Sequence, residues 1–135
     1  MCSYMSINGI PSCANEFILN HMVREVWGMP DTLIVTDCEA VSSMYEHNHY
    51  AKNDADATAK SINAGVDLNT GYPWYQHNGL HDALGNQTIT MQTVNTALAR
   101  SLSWKFKLGQ YRSTGGALYA SCSTGCAPRW WWWWW

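Results

Sequence analysis

The sequence predicts an α/β fold in which three short strands alternate with helices, joined by crossovers that place the strands parallel. Three observations carry that reading. The first is "TLIVT" at 32–36, an apolar run too continuous for a half-exposed strand. The second is helical spacing of apolar residues in the stretches that follow Asn15 and Thr90. The third is the placing of Asn, Thr and Gly where helices start and stop.

Taken in order, "MCSYM" reads as a first strand and "SINGIPSCAN" as a loop, marked by Asn-Gly and Pro. Asn15 is an expected N-cap, with Leu19, Met22, Val23 and Val26 on one helical face and Gly28 as the stop. "TLIVT" is the second strand, and Asp37 stands at its C-terminal end. The polar loop "MYEHNHYAKN" leads to a helix over "DADATAKSINA", capped by Asn53 and closed by Gly65. "VDL" is a third strand. After the aromatic loop "NTGYPWYQHNG" and a short helical piece, Thr90 caps a long helix ending at Gly109. Its stripe of Val94, Leu98, Leu102 and Phe106 is expected to be core. Three such units form an open sheet, so unpaired strand edges are expected.

Bulk composition narrows the function. Net charge is −2, with no Lys/Arg cluster, which removes the footprint of a nucleic-acid binder. Charged residues are 13% of the chain, against roughly 25% in an ordinary soluble domain, so the surface is short of charge and suited to being covered. The five cysteines are odd in number, and at least one is unpaired within the chain. Cys2 and Cys13 flank a loop and can be bridged, which suits an oxidising compartment. No basic segment followed by an apolar run marks a signal peptide, and no run of about 18 apolar residues spans a bilayer.

From Ser113 the texture changes. "STGGALYASCSTGCAPRWWWWWW" has no periodicity and ends in Trp130 to Trp135. A run of one residue encoded by a single codon reads as out-of-frame or repeat-derived translation, and residues 112–135 are set apart as a tail outside the fold.

Four segments, "MCSYMSINGIPSCAN", "IVTDCEAV", "SINAGVDLNTGYPW" and "LSWKFKLGQY", resemble glycoside hydrolase family 3 in order and spacing, and are most similar to its plant and fungal β-xylosidase branch. The resemblance covers residues 1–111. It implies that these residues are the C-terminal three strand–helix units of a (β/α)8 barrel, incomplete because such barrels need about 250 residues. It implies retaining hydrolysis of a terminal β-linked sugar, without metal or organic cofactor, on an oligosaccharide or glycoside substrate, in an enzyme that is extracellular. The family's nucleophile follows a Ser-Asp pair, which here is Thr36-Asp37, so Asp37 is the implied catalytic residue. Tyr4, in "CSY", is implied to lie near the sugar. Met5 stands where the pattern has asparagine, and Thr70 where relatives often carry a cysteine that would partner Cys38. The first five strands, their sugar-clamping residues and the second domain that lends the acid/base glutamate have no match here. Met1 aligns with a methionine inside a family strand, which implies a start within a longer reading frame.

Each site residue also has a plainer reading. An aspartate after an apolar strand caps turns and helices as well as doing chemistry. Tyr4 fits a core tyrosine with its hydroxyl paired, and Trp74 with Tyr75 fits loop packing as well as a sugar platform. Glu46, His47 and His49 sit in a polar loop where solvated side chains are the ordinary outcome and a metal site the exceptional one. Asp67 reads as structural, bonding backbone at the barrel mouth. Asn86, in "NQT", is a glycosylation sequon that matters in a secreted chain. The alternative to an enzyme fragment is a non-catalytic carbohydrate-binding module that keeps Tyr4, Trp74 and Tyr75.

Overall fold

The computed structural model describes residues 1–71 and 78–110. The chain divides into two compact units, Met1–Trp104 and Lys105–Trp135. Trp74, Tyr75 and the tail from residue 111 lie outside the described residues.

The first turn of the chain is tighter than a loop. Asn8 and Gly9 both take positive φ, 54° and 80°, the combination a two-residue hairpin turn requires. It joins β1 (Ser6–Ile7) to β2 (Ile10–Pro11) in antiparallel register, Ser6 opposite Pro11 and Ile7 opposite Ile10. A 3-10 turn, Ser12–Ala14, follows. Cys13 in it is disulfide-bonded to Cys2, with Cα atoms 5.2 Å apart, and both cysteines are buried.

The expected parallel strands are present as brief pairings. Cys2 pairs with Thr36 and Val35 with Leu68, both parallel, so the 33–37 segment is central. Backbone bonds from Cys2 N to Val35 O (2.9 Å), Asp37 N to Cys2 O (2.7 Å) and Thr36 N to Leu68 O (3.0 Å) hold the three segments side by side. The central segment is not buried on both faces. Ile34 and Thr36 are buried, whereas Leu33, Val35 and Asp37 on the alternate face are only half-buried, and Leu68 beside Val35 is 36% exposed. Among the described residues the helices cover one face, and the apolar side chains of the other are partly exposed.

On the outer side of the first segment, one pair of peptide groups is already occupied by a side chain. Ser3, one residue past Cys2, turns its peptide groups to the opposite side. The Ser12 hydroxyl accepts from Ser3 N–H (2.9 Å) and donates to Ser3 C=O, so one side chain occupies both groups that a further strand would use.

Asn15 does cap a helix, its Oδ1 accepting from Ile18 N at 3.2 Å. That helix, Phe17–Val26, is a π-helix, closing with Trp27 N donating to Met22 O five residues back (2.9 Å). The wider turn changes its buried face. Leu19 and Arg24, five apart, are buried, while Met22 and Val23 are half-buried and Val26 is exposed. The expected 3.6-residue stripe is therefore displaced.

α1 (Ser43–Glu46) is a single turn. α2 (Asp54–Asn63) is capped as expected, Asn53 Oδ1 accepting from Asp56 N at 2.9 Å. Burial pushes the Asp56 carboxyl up, but the Lys60 ammonium at 2.8 Å and the Lys52 N–H at 2.9 Å outweigh it and hold the carboxyl below its ordinary value. The buried face of α2 is built from small residues, Ala57, Thr58, Ala59 and Ser61 with Ile62, which lets neighbours approach closely. It packs against the Ser12–Ala14 turn on one side and against α3 (Gly79–Gly85) on the other. Cys2, Cys13, Leu19, Ile34, Val41, Met44 and Val66 form the main core, and Ile62, Ala83 and Ile89 a second one with Leu80, Leu84 and Val94.

α4 (Met91–Lys107) begins at the expected cap, Thr90 Oγ1 accepting from Thr93 N at 3.1 Å. Its four-residue stripe is not core. Val94 and Leu102 are half-buried, but Leu98 is 51% and Phe106 60% exposed, while Ala97 and Ser101 are the buried residues. A spacing of four overshoots a 3.6-residue turn at every step, so the stripe winds off the packed side.

Within the first unit, several elements converge on Asp67. Its carboxylate accepts from Arg24 Nη2 (2.7 Å) and Ile34 N (2.9 Å) through one oxygen and from Arg100 Nη1 (3.2 Å) through the other, and Ser101 Oγ donates to its carbonyl (3.1 Å). Gly65 makes room for this: at φ 103°, a Cβ there would sit 2.3 Å from Arg24 Nη1. Asp67→Ala leaves a buried guanidinium unpaired and is expected to cost about 3–5 kcal/mol. Urea unfolding of the variant reads this directly; a midpoint equal to that of the parent chain contradicts the assignment.

Candidate functional site

Asp37 ends the central segment, and its position is fixed from both sides of the peptide chain. Its N–H donates to Cys2 O (2.7 Å), its carbonyl accepts from Ala40 N (3.2 Å), and its Oδ1 accepts from the next N–H, that of Cys38, at 2.8 Å. The side chain is half-buried and so open to a small ligand.

The residue before it anchors the strand end. Thr36 is fully buried, and its hydroxyl donates to Asn69 Oδ1 (2.9 Å) while accepting from Thr70 N (3.0 Å). The Thr70 hydroxyl donates back to Thr36 O at 2.5 Å. A hydroxyl is therefore used at position 36 in a way an alanine could not replace. Gly71, at φ 88°, lies so close that a Cβ would be 2.8 Å from Glu39 N. The loop after the third segment is thus fitted against the 36–39 turn, where Glu39 itself takes a φ of 61°.

Tyr4 is brought to the same place. Its hydroxyl donates to Cys38 O, and 48% of the residue is exposed. Partial desolvation first, then the negative groups of Asp37, Cys38 and Glu39 and a hydrogen bond to Asp37, raise the phenol above its ordinary value of 10.0. So the two residues singled out by the sequence, 33 positions apart, lie side by side. Met5 beside them is 73% exposed and offers no polar group.

The remaining candidates lie elsewhere. Glu46, His47 and His49 are exposed, Glu46 accepting from the Tyr45 hydroxyl (3.1 Å). Among the described residues no group of three or more His, Cys, Asp or Glu is placed to hold a metal ion. Asp67 bonds a strand N–H and two arginines rather than loop backbone. Burial raises its carboxyl, against the pull of Ile34 N–H, Arg24 and Arg100, and burial likewise lowers Arg24. Cys38 is a free, exposed thiol. The sequence reading missed Asn69 and the role of Thr70; the signal available was the polar "NT" directly after a strand paired to the one bearing Asp37.

Parallel segments with helices on one side, a carboxylate at a strand end and a tyrosine beside it define a strand–helix piece of an α/β fold. The chain belongs to glycosyl hydrolase family 3: residues 1–103 match the Glycosyl hydrolase family 3 N terminal domain. It is 39% identical over 125 residues to an Aspergillus flavus protein named "Probable exo-1,4-beta-xylosidase bxlB", covering 90% of this chain and 16% of that protein. Among solved structures it is similar to a GH3 exo-beta-xylosidase (XlnD) in complex with a xylobiose aziridine activity-based probe. That likeness has a TM-score of 0.73 and 29% identity, over 82% of this chain and 14% of the other. A β-glucosidase involved in saponin metabolism from intestinal bacteria aligns with a TM-score of 0.75 and 25% identity over the same shares. The chain thus spans about one sixth of the length of these relatives. No helix among the described residues is long and apolar enough to cross a membrane.

The Tyr4 phenol supplies a test of this geometry. Its raised value means that the folded state favours the protonated form: that contribution is whole below the ordinary tyrosine value and is lost as pH rises through the folded value. The ultraviolet titration difference between the parent chain and Tyr4→Phe is expected to show a midpoint above 10.0. Asp37→Asn is expected to lower it. A midpoint that ignores Asp37→Asn would separate the two side chains.

Proposed function

We propose that residues 1–111 are the last three strand–helix units of a family 3 catalytic barrel and that Asp37 is the nucleophile of the parent reaction, with residues 112–135 outside that domain. The parent reaction is retaining hydrolysis of a terminal β-linked sugar, of β-xyloside or β-glucoside type, in an enzyme working outside the cell. The observation that carries the reading is Asp37 itself, half-buried at the end of the central parallel segment beside Tyr4. It stands where barrel enzymes place reactive groups, at the C-terminal end of a strand.

The chemistry sets what each residue does. The Asp37 carboxylate attacks the anomeric carbon, a second carboxyl group protonates the leaving oxygen, and a covalent glycosyl-enzyme forms; that second group then deprotonates water, which releases the sugar. The Cys38 N–H, bonded to Oδ1, orients the carboxylate. Tyr4 borders the sugar subsite. The second carboxyl must stand roughly 5–5.5 Å from the first, and the proposal places it outside this chain. The buried Cys2–Cys13 disulfide supports an oxidising destination.

Two measurements check the reading. The 135-residue chain assayed on aryl β-xyloside and aryl β-glucoside is expected to show no turnover above background, because one carboxylate without its partner and sugar clamp leaves the oxocarbenium-like transition state unsupported. Robust turnover that Asp37→Asn abolishes would overturn the claim of an inactive fragment. Xylo-oligosaccharide binding without turnover, in a chain whose Asp37→Asn form behaves alike, would favour a carbohydrate-binding module instead. In a chimera where residues 1–103 replace their counterpart in a full-length family 3 β-xylosidase, Asp37→Asn is expected to lower kcat on the order of 10⁴-fold.

A further inference from the structure

The sequence contains a single Asn-x-Ser/Thr triplet, Asn86-Gln87-Thr88, and the structure displays it in full. Asn86 is the residue at which α3 ends; its backbone N–H donates to Asp82 O (2.8 Å), and its side-chain amide makes no hydrogen bond among the described residues. Gln87 takes a φ of 56°. Asn86, Gln87 and Thr88 are all exposed, while Ile89 immediately after them is 4% exposed and anchors the turn in the second core.

Two further observations bear on what an acceptor here would meet. The buried Cys2–Cys13 disulfide belongs to a chain that matures where thiols are oxidised, and in a eukaryotic cell that is the compartment in which asparagine-linked sugars are attached. Asn86 also borders a cleft of about 540 Å³, with Tyr45, Asn53, Asp54, His81 and Asp82 on its walls. The volume is of small-ligand size, and the half-buried Tyr45 ring, tethered through its hydroxyl to Glu46, offers an amphipathic wall of the kind sugars rest on. A glycan on Asn86 therefore displaces no packed side chain.

We propose that Asn86 is an N-glycosylation site occupied when the chain passes through a eukaryotic secretory pathway. The reaction takes a lipid diphosphate-linked oligosaccharide as donor: the bond from Asn86 Nδ2 to the anomeric carbon forms as the bond from that carbon to the phosphate oxygen breaks. The lipid diphosphate leaves with the electron pair, and Nδ2 loses one proton. The site is separate from Asp37 and Tyr4 and stands or falls independently of the nucleophile assignment.

The test is translation of the full chain, behind a cleavable secretory signal, in a cell-free system with and without endoplasmic-reticulum microsomes. One glycan's increase in mass is expected only with microsomes, removed by endoglycosidase, absent in Asn86→Gln and in Thr88→Ala, and retained in Thr88→Ser. Attachment precedes folding, so variants that fold poorly still report. An unshifted chain alongside a shifted control acceptor, or a shift that survives Asn86→Gln, would overturn the proposal.

Discussion

The buried carboxylate of Asp67 is the constraint on which the arrangement of this chain depends. It touches the π-helix through Arg24, the central segment through Ile34 N–H, and α4 through Arg100. Taking an aspartate and an arginine out of water costs several kcal/mol per ion, and the cost is offset here only because each carboxylate oxygen has donors. The satisfaction is not complete, since Arg24 Nε is buried without a partner among the described residues. Breaking any one of these contacts leaves a buried charged or polar group without its partner. Two glycine features make the arrangement possible: Gly65 leaves space for the Arg24 guanidinium and its carbonyl accepts from Nη2 at 2.8 Å.

That carboxylate fixes Ile34, and Ile34 sets the segment that ends in Asp37 three residues later. The far end of the same segment is secured by Thr36, whose hydroxyl bonds Asn69 and Thr70. Asp37 is thus delivered from a strand tied at two points rather than from a free loop, which is the condition for holding a reactive carboxylate in place. The Cys2–Cys13 disulfide adds a third restraint. It ties the neighbouring segment, which carries Tyr4, to the turn that packs on α2, and closing a loop of this size is worth about 3 kcal/mol.

What was legible in the sequence was local chemistry. Asn15, Asn53 and Thr90 cap where their side chains predict, because a cap needs only a few neighbouring residues. Gly28 and Gly65 take left-handed conformations at helix ends for the same reason. Long-range geometry was not legible. The π-turn of Phe17–Val26 keeps Leu19 buried as expected but buries Arg24 in place of Met22, Val23 and Val26, and no apolar pattern announces it. The stripe from Val94 to Phe106 obeys a period of four and not the helix's own, so half of it faces outward. Asp67 reads as an ordinary acidic residue after a strand until Arg24, 43 positions away, is seen against it. The half-exposed face of 33–37 is informative in its own right: apolar Leu33 and Val35 are suited to a barrel interior, and the sequence's shortage of charge fits surfaces that a larger domain covers.

The central claim, that Asp37 is the attacking carboxylate of a family 3 barrel, is tested most directly by trapping it. In a full-length family 3 β-xylosidase carrying residues 1–103 of this chain, a β-xylose-configured aziridine probe is applied and the digested protein is sequenced by mass spectrometry. The account predicts a covalent sugar adduct on the peptide containing Asp37, lost in Asp37→Asn. An adduct on any other residue, with Asp37 unlabelled, would contradict it.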